Sequence, residues 1–253
     1  MTSLPGAAAF SSGGHGANAA TGVLLSHGFT GSPVSMAAWA RHLADQGYAV
    51  SLPLLPGHGT TWQELARTPW ERWYEGYDDA YQELAGRTDR VVAAGLSMGG
   101  TLALRLAAYR PVAGVAVVNP GLTIDDPRAR YSGFLKYVLR SVPAIGNNIK
   151  LPGQDEGAYT RTPVGGVHQL MRLFKDTTAA LPGINAPVIA FRSAVDPVVP
   201  ESSMDVLRRR LGSALEVVPL ENSYHVATMD HDAPLIFDRS SQFIQRISAG
   251  AAA

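Results

Sequence analysis

From Thr21 onward, short and nearly continuous apolar runs alternate with stretches whose apolar residues recur at helical spacing. The runs are V-L-L-S-H (23–27), Y-A-V-S-L (48–52), V-V-A-A-G-L (91–96), G-V-A-V-V-N (114–119), V-I-A-F-R-S (188–193) and L-E-V-V-P-L (215–220). They are rich in β-branched residues and show little polar alternation, the pattern of strands buried on both faces. Helix-patterned segments lie at 34–46, 69–86, 98–109 and 201–211. Strand–helix–strand alternation predicts an α/β fold, a mostly parallel central sheet with helices on both faces. A weaker edge strand is expected near Ala7–Phe10, and the Gly/Ala/Ser/Asn-rich residues 12–20 read as a flexible turn behind it.

The alternation breaks between Pro120 and about Leu181, where no strand run is seen. Two apolar helical stretches are expected there, F-L-K-Y-V-L-R-S-V (134–142) and V-H-Q-L-M-R-L-F (167–174), joined by a loop-rich segment. Insertions at the C-terminal ends of parallel strands sit over the ligand crevice, so this one reads as a small helical cap; two ordinary covering helices are the alternative. The expected division is a flexible segment 1–20, a first core part 21–119, the cap 120–181, a second core part 182–247 and a frayed end 248–253. Trp70, Trp73, Tyr74, Tyr77, Tyr81 and Leu84 share a helical stripe and are expected in the core.

Composition narrows the chemistry. The 21 basic and 21 acidic side chains cancel, so nothing draws a polyanion and nucleic acid is not expected as a partner. The absence of cysteine removes disulfides, thiol catalysis and cysteine-ligated metals. The N-terminal residues lack the basic and continuous apolar regions of a secretory signal, and no window approaches a membrane span. The expected location is the cytoplasm, with no integral membrane segment; oligomeric state is not legible.

The most informative segment is V-V-A-A-G-L-S-M-G-G-T-L-A-L-R-L (91–106). An apolar strand ends at Leu96, a helical pattern begins at Met98, and Ser97 stands between them in G-L-S-M-G, the nucleophile-elbow motif in its strand–turn–helix context. A turn that tight brings the positions two before and two after the serine together, which accounts for Gly95 and Gly99. In such an arrangement an acid and then a histidine follow the serine in the chain. Of the seven histidines only His225 and His231 lie beyond the last strand. His225, in N-S-Y-H-V, sits at that strand's C-terminal end, whereas His231 falls at the start of the final helix and is expected at the surface or as a cap. Asp196, in A-V-D-P-V-V-P, follows the preceding strand and can orient the imidazole; it can equally start the turn at Pro197. Two backbone N–H groups are expected to hold an oxyanion, those of Met98, after the nucleophile, and Phe29, in H-G-F-T-G-S after the first strong strand. His27 and His58 are expected to be structural. No residues show metal-ligand spacing, and neither a metal nor an organic cofactor is expected.

Taken together, H-G-F-T-G-S, L-P-G-H-G, G-L-S-M-G-G, D-P-V-V-P and N-S-Y-H-V-A-T-M-D resemble the bacterial monoacylglycerol lipases and the related small bacterial carboxylesterases, from about Thr21 to Arg246. The resemblance implies an α/β-hydrolase fold with a small helical cap, hydrolysis of monoglycerides or simple acyl esters, and a triad on Ser97, Asp196 and His225. Q-D-E-G-A-Y-T-R-T-P-V is similar to the lipases more than to the esterases. It implies that Glu156 contacts the glycerol moiety and that Ile145 lines the acyl tunnel. An apolar stripe of Phe134, Leu135, Val138, Leu139, Val142 and Ile145 suits the inner face of such a cap, although a cap helix packed on the core would look alike. The expected function is therefore hydrolysis of monoacylglycerols, small lipid-like esters, through an acyl-enzyme on Ser97. The alternatives are a carboxylesterase for short soluble esters and a non-catalytic ligand-binding protein of the same fold.

Overall fold

A computed structural model of the chain describes residues 6–144 and 146–250. In chain order its strands are β1 (Phe10–Ser12), β2 (Thr21–Ser26), β3 (Ala49–Leu52), β4 (Arg90–Leu96), β5 (Gly114–Val118), β6 (Ser141–Pro143), β7 (Arg161–Pro163), β8 (Val188–Ser193) and β9 (Leu215–Leu220). Its helices are α1 (Ala37–Asp45), α2 (Trp62–Leu65), α3 (Trp70–Ala85), α4 (Met98–Tyr109), α5 (Ser132–Leu135), α6 (Val164–Ala180), α7 (Glu201–Leu211) and α8 (Ala233–Gly250). Among the described residues, seven strands form one sheet in the order β1-β3-β2-β4-β5-β8-β9, parallel except for β1 against β3. The α/β class and the mostly parallel sheet expected from the apolar runs are thus present.

The two-residue period of a strand splits the core in two. Leu24, Ala93, Val117 and Ala190 point to one face, where they meet α3, α4, α6 and α7. Val23, Leu25, Val92, Val118 and Phe191 point to the other, against α1 and α8. Strands β2, β4, β5 and β8 are covered on both sides, which is why they read as unbroken apolar runs. The aromatic stripe of α3 packs as expected, with Trp73 and Tyr77 fully buried and Tyr74 half-buried.

Three local expectations are corrected. The edge strand lies at Phe10–Ser12, not Ala7–Phe10. Strand β9 is an edge, so Val217 and Pro219 face outward and its burial alternates; proline is tolerated there because no further strand needs its N–H. The expected helix over 134–142 is only α5, after which Ser141–Pro143 pairs antiparallel with Arg161–Pro163. Phe134 and Val138 consequently face outward, each 71 % exposed, while Leu135, Leu139 and Val142 line a cavity. The second stretch, 167–174, belongs to the longer α6, whose Leu173, Phe174 and Thr177 pack into the helical layer.

Tyr77 ties the two central strands together: its buried hydroxyl lies 3.1 Å from Leu24 O and 3.2 Å from Ala94 O, sharing its proton between carbonyls of β2 and β4. Tyr77→Phe should lower stability by about 1–2 kcal/mol, read as a lower urea midpoint at unchanged slope. Parental stability would show the bridge to be idle.

Candidate active site

Strand β4 delivers Ser97 to the C-terminal edge of the sheet, and α4 starts at the next residue. Ser97 adopts φ 55° and ψ −118°, left-handed backbone that a non-glycine residue holds only under constraint. The constraint is visible in its hydrogen bonds: Ser97 N donates to Val118 O at 2.9 Å, and Thr101 N donates to Ser97 O at 3.1 Å. A methyl on Gly95 would overlap the Gly99 carbonyl, and one on Gly99 would overlap the Ser26 carbonyl. Only glycine fits at either position.

The last two strands of the sheet, β8 and β9, supply the other groups. Asp196 lies just past β8 with its side chain fully buried, and its Oδ2 accepts from His225 Nδ1 at 2.9 Å. Burial pushes this carboxyl up, but the hydrogen bond and charge of His225 and the amides of Val198 and Val199, at 2.9 and 3.0 Å from Oδ1, outweigh it and hold the group below its ordinary value. Arg192 Nη1 adds a third kind of donor to Oδ2 at 3.0 Å. His225 follows β9, and its ring lines the same cavity as Ser97, without a hydrogen bond between the two among the described residues. Imidazole–hydroxyl contacts of this kind are often loose until substrate arrives.

The loop after β2 closes the third side. Gly28 comes so near Ser97 that a methyl on it would sit 3.6 Å from Ser97 Cβ. Phe29 lines the cavity, and its N–H makes no backbone hydrogen bond among the described residues. Met98 opens α4, so its N–H has no intrahelical acceptor; its side chain is buried in the core. His27 fixes this loop. A carbonyl only accepts and an amide only donates, so the partners set the tautomer: Nδ1–H donates to Gly28 O at 3.0 Å and Nε2 accepts from Leu55 N at 3.2 Å. The ring is neutral, burial driving its pKa down to about 4. His58, buried edge-on to His27 with centroids 5.0 Å apart, is also pushed well down by burial, and further by His27.

The cavity above these groups measures about 570 Å³, within the range of small-molecule sites. Its long wall is apolar, formed by Ile124, Leu135, Leu139, Val142, Leu170 and Phe174. Glu156 lies on the polar side. Its Oε1 accepts from Asn147 N at 2.6 Å, while its own N–H donates to Asn147 Oδ1 at 3.0 Å. Burial raises the Glu156 carboxyl above the usual carboxylate range, opposed by the Asn147 amide and by His225. Ser97, His225, Phe29 and Glu156 thus share one cavity, with Asp196 behind His225. Ile145 lies outside the described residues. His231 is exposed. The described residues contain no cluster of acidic or histidine side chains able to hold a metal, and no described helix is long and apolar enough to cross a membrane.

The sequence matches the alpha/beta hydrolase family over residues 23–238. The chain belongs to the alpha/beta hydrolase family. It is 40% identical over 231 residues to a thermostable monoacylglycerol lipase of Bacillus sp. (strain H-257), covering 90% of this chain and 92% of that one. It is 25% identical to a carboxylesterase of Bacillus subtilis (strain 168), covering 89% and 92% of the two chains. A solved structure from work on LipS and LipT, two metagenome-derived lipolytic enzymes, superposes with a TM-score of 0.92 at 37% identity, over 97% of this chain and 100% of that one.

Within this hydrolase the sequence reading missed the residues that hold the site from behind. Asn119, fully buried with φ 44°, donates from Nδ2 to Ser193 Oγ at 2.9 Å and to His225 O at 2.8 Å, and accepts from Ser193 N at 2.9 Å. Ser193 Oγ in turn donates to Tyr224 O at 2.8 Å. One signal was available for Arg192, a charged residue inside the apolar run V-I-A-F-R-S.

The neutral His27 has a consequence for stability. Its folded pKa of about 4 lies below the unfolded value of 6.5, so the unfolded chain binds the extra proton and stability falls as pH drops through that window. The loss attributable to this ring is on the order of 3 kcal/mol by pH 4. His27→Gln keeps a donor and an acceptor but does not titrate. Urea unfolding from pH 7 to 4.5 should show a shallower loss in the variant than in the parent; identical slopes would refute a neutral His27.

Proposed function

We propose that this hydrolase cleaves carboxylic esters through an acyl-enzyme on Ser97, and that its substrates are monoacylglycerols. The observation that carries the reading is the single cavity in which a strained serine hydroxyl and the imidazole of a buried His225–Asp196 pair face a long apolar wall. The 40% identity to a monoacylglycerol lipase supports the same substrate class. Residues 120–181 act as the cap over core parts 21–119 and 182–247, with α6 reaching from the cavity into the helical layer.

The acyl chain lies along the wall from Ile124 to Val142. Ser97 attacks the ester carbonyl as His225 takes its proton, and Asp196 holds the tautomer and stabilises the imidazolium. The Phe29 and Met98 amides receive the oxyanion; losing one such donor costs about 10²–10³ in rate. The tetrahedral adduct collapses, His225 returns the proton to the leaving glycerol oxygen, and water repeats the sequence on the acyl-enzyme. Glu156 Oε2, which makes no hydrogen bond among the described residues, accepts from glycerol hydroxyls.

Ser97→Ala should cut kcat by a factor on the order of 10⁵–10⁶ and abolish labelling by a fluorophosphonate, with the fold retained. Across a monoacylglycerol series, kcat/KM should rise with acyl length and then level, each buried methylene contributing at most ~0.8 kcal/mol. A preference for short nitrophenyl esters over every monoacylglycerol would make the protein a short-chain carboxylesterase. No turnover on a broad ester panel would leave a ligand-binding protein of this fold.

A further inference from the structure

Asp230 follows His225 by five residues, is 3 % exposed and does not line the cavity. Its two oxygens accept four backbone N–H groups. Oδ2 takes Lys150 N at 2.7 Å and Tyr224 N at 2.9 Å; Oδ1 takes Leu151 N at 2.9 Å and His231 N at 2.8 Å. Lys150 and Leu151 belong to the cap limb 147–151, and Tyr224 immediately precedes His225. The residue on the other side, Val226, donates its N–H to Asn148 O in that same limb at 3.0 Å. Both amides flanking His225 therefore end on the cap or on the carboxylate that holds it. The carbonyls of Tyr224 and His225 are held from below by Ser193 and Asn119.

A carboxylate this far from water costs free energy unless donors replace its hydration, and here each oxygen carries two. Geometry of that kind is rigid: displacing the limb strands two amides and frees half the carboxylate at once. The limb also carries Asn147, whose reciprocal pair with Glu156 fixes the polar side of the cavity. We propose that Asp230 is a positioning residue that holds the cap limb 147–151 and the His225 loop on one carboxylate, so that the base and the polar wall facing it move as one body. The inference rests on the reading of His225 as the base.

Two measurements test it. In the unmodified protein, amide hydrogen exchange at Lys150, Leu151 and Tyr224 should be slow and of one common rate. Open-chain exchange at Lys150 and Leu151 with Tyr224 still protected would overturn the coupling. Asp230→Asn presents an NH₂ group to two amides and should release the clamp on one side. Folded by circular dichroism, it should lose roughly 10²-fold in kcat, the scale expected when a reacting group is misplaced by about 1 Å. The loss should be alike on a monoacylglycerol and on the methyl ester of the same acid, with KM for the methyl ester little changed. The acid limb of the pH profile should be displaced and the low-field Nδ1 proton signal of His225 lost or broadened. A variant that is merely less stable, with kcat, acid limb and proton signal as in the parent, overturns the proposal. If the variant does not fold, the exchange rates decide. Failure of a fluorophosphonate to label Ser97 in the unmodified protein would instead sink the catalytic reading, and this proposal with it.

Discussion

The geometry around Ser97 follows from one steric constraint. The residue is held at φ 55°, ψ −118°, a conformation costing on the order of 1–3 kcal/mol that survives only where surrounding structure over-determines it. Gly95 and Gly99 have no side chain, so the end of β4 and the first turn of α4 can close to backbone contact, and Ser26 of the neighbouring strand can press against Gly99. Gly28 lets the adjoining loop approach the serine to van der Waals distance. Two segments distant in sequence, the β4–α4 elbow and the end of β2 with its loop, therefore converge on one hydroxyl because, at each point of approach, a β-carbon is missing.

Around that steric centre the electrostatics divide into groups kept charged and groups kept neutral. Asp196 is deeper than water can reach, yet it is held ionised by four donors of three kinds: an imidazole, a guanidinium and two amides. His27 and His58, equally buried, have carbonyls and amides around them but no carboxylate within bonding distance among the described residues, and both stay neutral. The same residue type thus takes opposite duties at two strand ends. His225 bonds a carboxylate, whereas His27 bonds only backbone groups and can keep its loop in place only while neutral.

What the sequence made legible was whatever is local. The elbow is five consecutive residues with a steric rule, and the parallel strands announce themselves as apolar runs because both faces are covered. Asp196 and His225 followed from the order of strand-end loops. Asn119 and Asp230 did not, because their partners lie tens of residues away: Asn119 bonds His225, 106 positions on, and Asp230 bonds Lys150, 80 positions back. Nothing in N-P-G or M-D-H marks such a contact. The misread helix at 134–142 is more instructive. Its apolar residues have helical spacing, but Val142 precedes Pro143, and a residue before proline is pushed towards extended backbone. The signal for β6 was present, and periodicity concealed it.

The two sides of the cap differ in what they can offer a ligand. The limb from Ile124 to Val142 contributes carbon from Ile124, Leu135, Leu139 and Val142, beside the polar Asp126, Arg128 and Ser132; its apolar stretch favours a chain of methylenes and discriminates weakly among their positions. The limb from Asn147 to Glu156 contributes a carboxylate whose burial raises its pKa and is only partly offset by the Asn147 amide and by His225; a ligand bringing hydroxyl donors would offset the rest. On the proposed reading the ester must lie where the two limbs meet, since Ser97 and His225 are there. Its acyl side then has one wall available and its alcohol side the other, and a substrate turned end for end would set methylenes against a carboxylate. Orientation thus comes from the mismatch between the walls more than from any single contact, and it selects esters whose two halves are as unlike as a fatty chain and a polyol.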